Sequence, residues 1–188
     1  MSVHADINQG VCLGLVLEKV SGDSYELLSA DAVKSYIRVD FADDDFILSL
    51  MLAEAIEYAE KFTGLSLRQS SYVATYDSVA LSFELPMGPN CVVESVVDSS
   101  GNDIVFFMTS SQFAKINFPI MPYGPVIITY SAGYLPGTIP AGIITALLKM
   151  VATDYDIRAN FEVVRGTLIE YNNDSKSLLK QHMRKAWF

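Results

Sequence analysis

Histidine and cysteine are both scarce in this sequence, and their scarcity excludes several kinds of site. Neither His4 nor His182 lies beside a serine or cysteine in a turn that could present a nucleophile, so a catalytic triad has no candidate. Cys12 and Cys91 are isolated in the chain, which leaves no zinc-binding pair, and we expect both to be thiols. A glycine-rich phosphate loop is also lacking. We therefore assign no catalytic, cofactor-binding or metal-binding residue.

Long uncharged apolar runs are missing as well. A membrane-spanning helix needs roughly 18 such residues, and Lys149 interrupts the longest candidate. The apolar run at 11–17 follows Asp6 and no basic residue, so it lacks the basic start of a secretory signal and is interpreted as a strand or arm. We expect no membrane partner.

Basic residues are few outside the C-terminal segment. The chain has a net charge of −9, but residues 174–188 hold four basic side chains against Asp174, which is +3 and leaves −12 on the other 173 residues. Because binding to phosphates needs a basic face, this distribution argues against a nucleic-acid reader.

Apolar residues are abundant instead. They make up 51% of the 188 residues, enough for a sizeable core, and the mean hydropathy of +0.28 is high for a protein of this size. We predict an α+β fold with a helical framework, in which residues 1–28 form an N-terminal arm and residues 29–188 a single domain. The helices are predicted near 30–38, 45–63, 140–157 and 175–186, with a β-rich insert near 70–130.

The insert is recognised by a period of two and by β-branched and aromatic residues. Turn residues cluster at 86–90 and 99–103. The predicted strands are 72–76, 79–85, 91–97, 104–108 and 126–130.

The second helix has clear end signals. Three aspartates at 43–45 are expected to cap or favour its positive end, and Gly64 stops it. Phe46 and Leu50 fall on its charged side, where an apolar residue has no role within the chain, so we predict that they contact another subunit. The predicted inward face consists of Ile47, Leu48, Met51, Leu52, Ala55, Ile56, Tyr58, Ala59 and Phe62.

The helix that follows Pro140 has an apolar arc covering more than half of its circumference. Either a neighbouring subunit or a second layer of the same chain must cover the outer part. Asp154 falls on the apolar face, so we expect it to have a hydrogen-bond or ion-pair partner, for which Arg158, one turn on, is the candidate. Acidic pairs, Glu54 with Glu57 and Asp154 with Asp156, are the only enzymatic option.

The C-terminal segment combines basic and aromatic residues, with Leu178, Leu179 and Met183 predicted to face inward. It docks either on its own subunit or, as we prefer, on an acidic surface of a neighbour. The residues predicted for that partner contact are Lys176, Lys180, Arg184, Lys185, Trp187 and Phe188.

The order of these motifs resembles the head–tail connector (adaptor, or head-completion) proteins of tailed bacteriophages. In that family a short helix ends in Leu-Arg-Val-Asp, matched by residues 37–40, and a long helix follows that ends in Thr-Gly, matched at 63–64. The similarity covers residues 29–158, and the sequence LLKQHMRK near the C-terminus is similar more weakly. Its further matching features are Leu85, Pro86 and Pro89, the 98–101 turn, the sequence VIITYSAGY at 126–134, and the helix after Pro140.

The resemblance implies a non-enzymatic virion protein of a phage or prophage, made in the bacterial cytoplasm and located at the head–tail junction. Its copies would form a ring below the portal, with portal and tail or head-completion proteins as partners and DNA only as a passenger through the channel. An acidic ring would repel DNA rather than hold it. A binding or regulatory module of phage or host, and a hydrolase that uses an acidic pair, are the alternatives.

Overall fold

The computed structural model describes residues 12–22, 25–109, 113–159 and 173–184. The fold is α+β, as predicted, with four helices and seven strands among these residues. It divides into two compact units, a β unit of residues 1–24 and 68–135 and a helical unit of residues 25–67 and 136–188. No helix in the described ranges has the length and apolar character needed to cross a membrane.

The β unit contains two antiparallel sheets that share one core. The first has the strand order β1-β2-β7-β4 and the second the order β3-β6-β5. The bounds are β1 Val16–Gly22, β2 Ser70–Tyr76, β3 Ser82–Glu84, β4 Val92–Asp98, β5 Phe107–Thr109, β6 Lys115–Asn117 and β7 Val126–Ala132.

Strands β2 and β7 alternate buried and half-buried residues throughout, which is the pattern of strands with one face on a core. Tyr72 lies opposite Tyr130 and the two rings stack with centroids 5.7 Å apart. The Tyr130 hydroxyl donates to the Pro86 carbonyl at 3.0 Å, so this buried polar group is satisfied. From the second sheet, Phe83 contacts Tyr76 edge-on at 5.1 Å, and Ile116 is completely buried.

The strand predictions need several corrections. The predicted strand 79–85 is limited to β3, because residues 77–81 leave the ladder and the Leu81 carbonyl accepts instead from the Phe118 amide. The predicted strand 104–108 begins only at Phe107, and β6 was not predicted at all. Part of the predicted arm, Val16–Gly22, forms the edge strand β1 on β2. The turns at 86–90 and 99–103 are confirmed.

The helical unit consists of α1 Ala30–Ile37, α2 Asp45–Thr63, α3 Ala141–Ala159 and α4 Asn173–Lys180. Ser29 caps α1 by accepting from the Ala32 amide at 3.1 Å. Gly64 ends α2 as predicted, in the left-handed conformation with φ +68°, and its amide reaches the Glu60 carbonyl. Pro140 lies one residue before α3 rather than inside it, and its carbonyl accepts from the amides of Ile143 and Ile144.

Helix α3 is the centre of this unit. It packs against α1, α2 and α4, and of its side chains at 141–156 only Ala141 and Asp156 are exposed. The wide apolar arc is thus covered by other helices of the same chain, so it gives no argument for a subunit contact.

Three predictions about helix faces and ends are wrong. Tyr58 is exposed and stacks on Phe62, with centroids 5.8 Å apart, instead of entering the core. Helix α4 ends at Lys180 rather than near 186, and Met183, beyond that end, is exposed. Asp44 is the N-cap residue of α2 and Asp45 lies in its first turn, as expected, but the expected capping hydrogen bond is not made: the Asp44 side chain accepts instead from the Tyr155 hydroxyl at 2.7 Å, and Asp45 pairs with Lys34.

Candidate assembly surfaces

The exposed face of α2 changes character along its length. Its first half presents Phe46, 71% exposed, and Leu50, 52% exposed. Its second half presents Glu54, Glu57 and Lys61, of which the last two form an ion pair at 2.5 Å. Neither apolar side chain belongs to the core, so burying them requires a partner molecule.

The start of this face is held in place by polar contacts to its neighbours. Lys34 of α1 donates to Asp45 at 2.7 Å, while the Tyr155 hydroxyl of α3 donates to Asp44. These bonds connect the N-terminus of α2 to both α1 and α3. The position of Phe46 is thus fixed by its own unit before any partner binds, which lowers the entropy cost of a contact.

The described part of the basic C-terminal segment packs on its own unit. Leu179 is completely buried, and Lys149 of α3 pairs with Asp174 at 3.5 Å. Beyond α4, the Arg184 amide donates to the Thr63 carbonyl at 2.8 Å. These contacts correspond to the docking on its own subunit that the sequence left open.

The basic side chains differ in exposure. Lys180 is exposed, whereas Lys176 and Arg184 are half-buried and have interactions within the chain. Lys185, Trp187 and Phe188, predicted for the same partner contact, lie outside the described residues. A contact between this segment and another subunit stays a prediction.

The acidic pairs considered for catalysis are largely exposed. Glu54 and Glu57 are both exposed, and the hydrogen bond and charge of Lys61 hold the pKa of Glu57 below its usual value. Asp154 is half-buried and has an interaction partner, while Asp156 is exposed. The side chain of Arg158, named as a possible partner, is outside the described side chains.

Each unit has an open groove among its described residues. The β unit has one of about 210 Å³ lined by Ser21, Gly22, Gln69, Ser70, Ser71 and Ser131, none of which titrates near neutral pH. The helical unit has one of about 400 Å³, lined mostly by apolar residues between 25–28 and 136–144. Within the described ranges, no three His, Cys, Asp or Glu side chains form a group that could hold a metal ion.

Both cysteines are thiols and half-buried. Burial raises the pKa of the Cys12 thiol, and the Ala80 amide, which donates to its sulfur at 3.4 Å, opposes that shift. A thiol with a raised pKa is a poor nucleophile at neutral pH. Cys12 therefore fits packing rather than catalysis.

Several exposed apolar side chains of the β unit were not singled out from the sequence. Three of them, Ile120, Met121 and Tyr123, lie in the 119–125 loop, while Phe107 lies in β5 and Val105 just before that strand. The signal was present in the sequence PIMPYGP, which alternates proline or glycine with large apolar residues.

Comparison with known proteins finds similarity in structure alone. No protein-family model matches the chain, and no curated protein matches its sequence. The neck of an empty gene transfer agent particle, computed with C6 symmetry, contains a chain that is 19% identical, with a TM-score of 0.72 over 92% of this chain and 97% of that one.

Two further structures of gene transfer agent particles contain chains with a similar fold. A chain in the virion of a native gene transfer agent particle is 17% identical with a TM-score of 0.69, and one in the neck of the native particle, computed with C12 symmetry, is 16% identical with a TM-score of 0.60. Both alignments cover 92% of this chain and 97% of the other. At these identities the comparison establishes a shared fold that includes both units.

Proposed function

We propose that this chain is a structural protein of a phage or phage-like particle, in which its copies form a ring at the neck that joins head to tail. The observation that carries the proposal is the shared fold with neck chains of gene transfer agent particles over nearly the whole length of both chains. Those necks were computed with C6 and C12 symmetry, which is the arrangement of a ring of repeated subunits.

The surface chemistry supports this role. Phe46 and Leu50 on α2, and the apolar side chains of the 119–125 loop, offer separate contact areas for neighbours. A ring needs at least two such areas on each copy, because each subunit contacts two others. The acidic body, with −12 outside residues 174–188, suits a channel through which DNA passes without binding.

The expected partners follow from this position. The ring would contact further copies of the chain, the portal on the head side, and tail or head-completion proteins on the other. The role requires no catalysis, cofactor or metal, and the particle, rather than a membrane, is the place of action.

The proposal is tested by producing particles with and without this chain. Without it, we expect DNA-filled heads and free tails, seen by electron microscopy, and a loss of infectious or transducing particles. Supplying the wild-type chain from a plasmid should restore joined particles. Joined, active particles in normal yield without the chain would contradict the proposal.

We propose further that the basic side of α4 steers this assembly by charge. Lys180 is exposed and is the last residue of α4, a helix that its own unit already anchors through Leu179. Lys180→Glu should slow association at low salt and reduce its salt dependence, while Lys180→Arg should behave as wild type. Association rates by light scattering at several salt concentrations test this, and equal rates for both variants would contradict it. Deleting the segment is not a clean test, because it would remove buried Leu179.

A further inference from the structure

The loop between β6 and β7 presents large apolar side chains to solvent. Ile120 is 81% exposed, Tyr123 is fully exposed, and Met121 between them is also exposed. No residue in 118–125 carries a charge. Exposed apolar clusters of this kind commonly mark sites of contact with another molecule. We refer to residues 120–123 as the tip.

Two further exposed apolar residues lie in β5 and just before it. Phe107 of β5 lies opposite Asn117, three residues before Ile120, and Asn117 donates from its side chain to the Phe107 carbonyl at 3.5 Å. Phe107 and Val105 are both exposed. Exposed apolar side chains therefore occur both in the tip and at the neighbouring end of the three-stranded sheet.

The backbone of the tip is restricted before it meets a partner. Pro119, Pro122 and Pro125 fix three φ angles within seven residues. Association then restricts few additional backbone torsion angles, so this preorganised loop loses less conformational entropy on binding than a flexible loop would. Tyr and Met are also residue types enriched in interface cores. These properties suit insertion into a groove.

The helical unit contains a groove of matching chemistry. Its volume is about 400 Å³, in the roughly 300–1,000 Å³ range of pockets that accept small organic ligands, and it has room for more than one side chain. Glu26 is its only charged lining residue. The apolar lining comes mainly from Tyr25, Leu27, Leu28, Pro136, Ile139 and Ile144.

We propose that the tip of one copy inserts into this groove of a second copy. The inference rests on the proposed ring and specifies one of its contacts. An uncharged tip and a groove with one charge at its margin can be desolvated together without leaving an unpaired ion buried. Because each copy offers one tip and one groove, the contact is head-to-tail, which is the type that generates rings.

Matched variants test the contact in the full-length protein. Ile120→Ser with Tyr123→Ser alters only exposed side chains of the tip, while Ala141→Glu adds bulk and charge at an exposed lining residue in the first turn of α3, where an acid is favourable. We expect at least tenfold weaker self-association for either, by analytical ultracentrifugation, with an unchanged melting temperature. Val92→Ser, an exposed apolar change on β4, is the control and should associate as wild type.

Mixing the two variants gives a sharper result. The tip variant keeps a working groove and the groove variant keeps a working tip, so an equimolar mixture should form one-to-one pairs that cannot grow further. Rings that persist in the tip variant would overturn this contact and leave the proposed function standing. A wild-type chain that stays monomeric, alone and on portal rings, would overturn both.

A photo-crosslinker at position 123 identifies what the tip contacts. In a mixture of isotopically heavy and light copies, we expect crosslinks between copies that map to residues 25–28 and 136–144. Crosslinks confined to one copy, or reaching only the portal or another protein, would show that the occupant of the groove is not a second copy.

Discussion

The two units of this molecule bury their apolar residues in different ways. In the helical unit the most apolar element, α3, is surrounded by other helices of the same chain, and the main exposed apolar residues lie elsewhere, including Phe46 and Leu50. In the β unit a well-packed core coexists with an apolar tip held in solvent. The comparison teaches that a broad apolar face in the sequence need not be exposed in the fold, while a short proline-rich loop can hold large apolar side chains in solvent.

The largest expected effect is the loss of stability caused by a cavity in the core of the helical unit. Leu147 of α3 is completely buried, so Leu147→Ala should lower the free energy of unfolding by about 3 kcal/mol, from lost burial and the cavity left behind. The exposed Leu50→Ala control should change it by less than about 0.5 kcal/mol. Chemical denaturation measures both. Similar losses in the two variants would mean that the assignment of buried and exposed faces is incorrect.

A smaller effect is expected in the core of the β unit. Tyr130→Phe removes the hydroxyl that donates to the buried Pro86 carbonyl, and should cost about 1–2 kcal/mol of unfolding free energy. Tyr123→Phe makes the same chemical change at a fully exposed position and should cost nothing measurable. If Tyr130→Phe is neutral as well, the hydrogen bond does not contribute to the stability of this unit.

Substitutions on the exposed face of α2 should weaken assembly and leave the melting temperature nearly unchanged. Phe46→Ser combined with Leu50→Ser removes apolar surface that the chain does not bury, so the melting temperature should stay within a few degrees of wild type. Native mass spectrometry should show fewer assembled copies, since buried apolar anchors dominate most interfaces. A large drop in melting temperature with normal assembly would make them core residues.

The smallest effect concerns the surface turn after β4. Asp98 accepts from the side chain and amide of Asn102 and from the amide of Ser100, and these bonds, that of the Asn102 side chain first, hold its pKa below the ordinary 3.8. The carboxylate therefore stabilises the fold above about pH 4, and this contribution is lost as the pH falls through the lowered pKa. Asp98→Asn should reduce the melting temperature slightly at pH 7 and less at pH 3. An equal loss at both values would exclude the ionised carboxylate as the cause.

Local signals in the sequence were sufficient to place the first two helices. The cap at Ser29 and the stop at Gly64 act within a few residues, so helices α1 and α2 were placed to within one residue. The side-chain role of Asp44 was not predictable, because its partner, Tyr155, is 111 residues away in the chain. Apolar periodicity also does not distinguish whether the apolar arc of α3 packs against the same chain or against another subunit, because both alternatives bury the same side chains.

The β unit depended on contacts that are distant in sequence. Strand β1 pairs with β2, which lies about 50 residues later in the chain. Strand β6, the middle strand between β3 and β5, is only three residues long, which is too short for a period of two to be recognised. The tip was missed because an isolated apolar residue in a loop has no periodic partner. Its solvent exposure becomes visible only when the strands on either side are placed.

Native mass spectrometry of the purified full-length chain, alone and with portal rings, tests the central claim most directly. The account predicts a single closed oligomer with a defined number of copies, present alone at high concentration or formed on the portal, and lost in the tip variant. A chain that remains a monomer or dimer under both conditions would contradict the claim that it is a ring-forming structural protein.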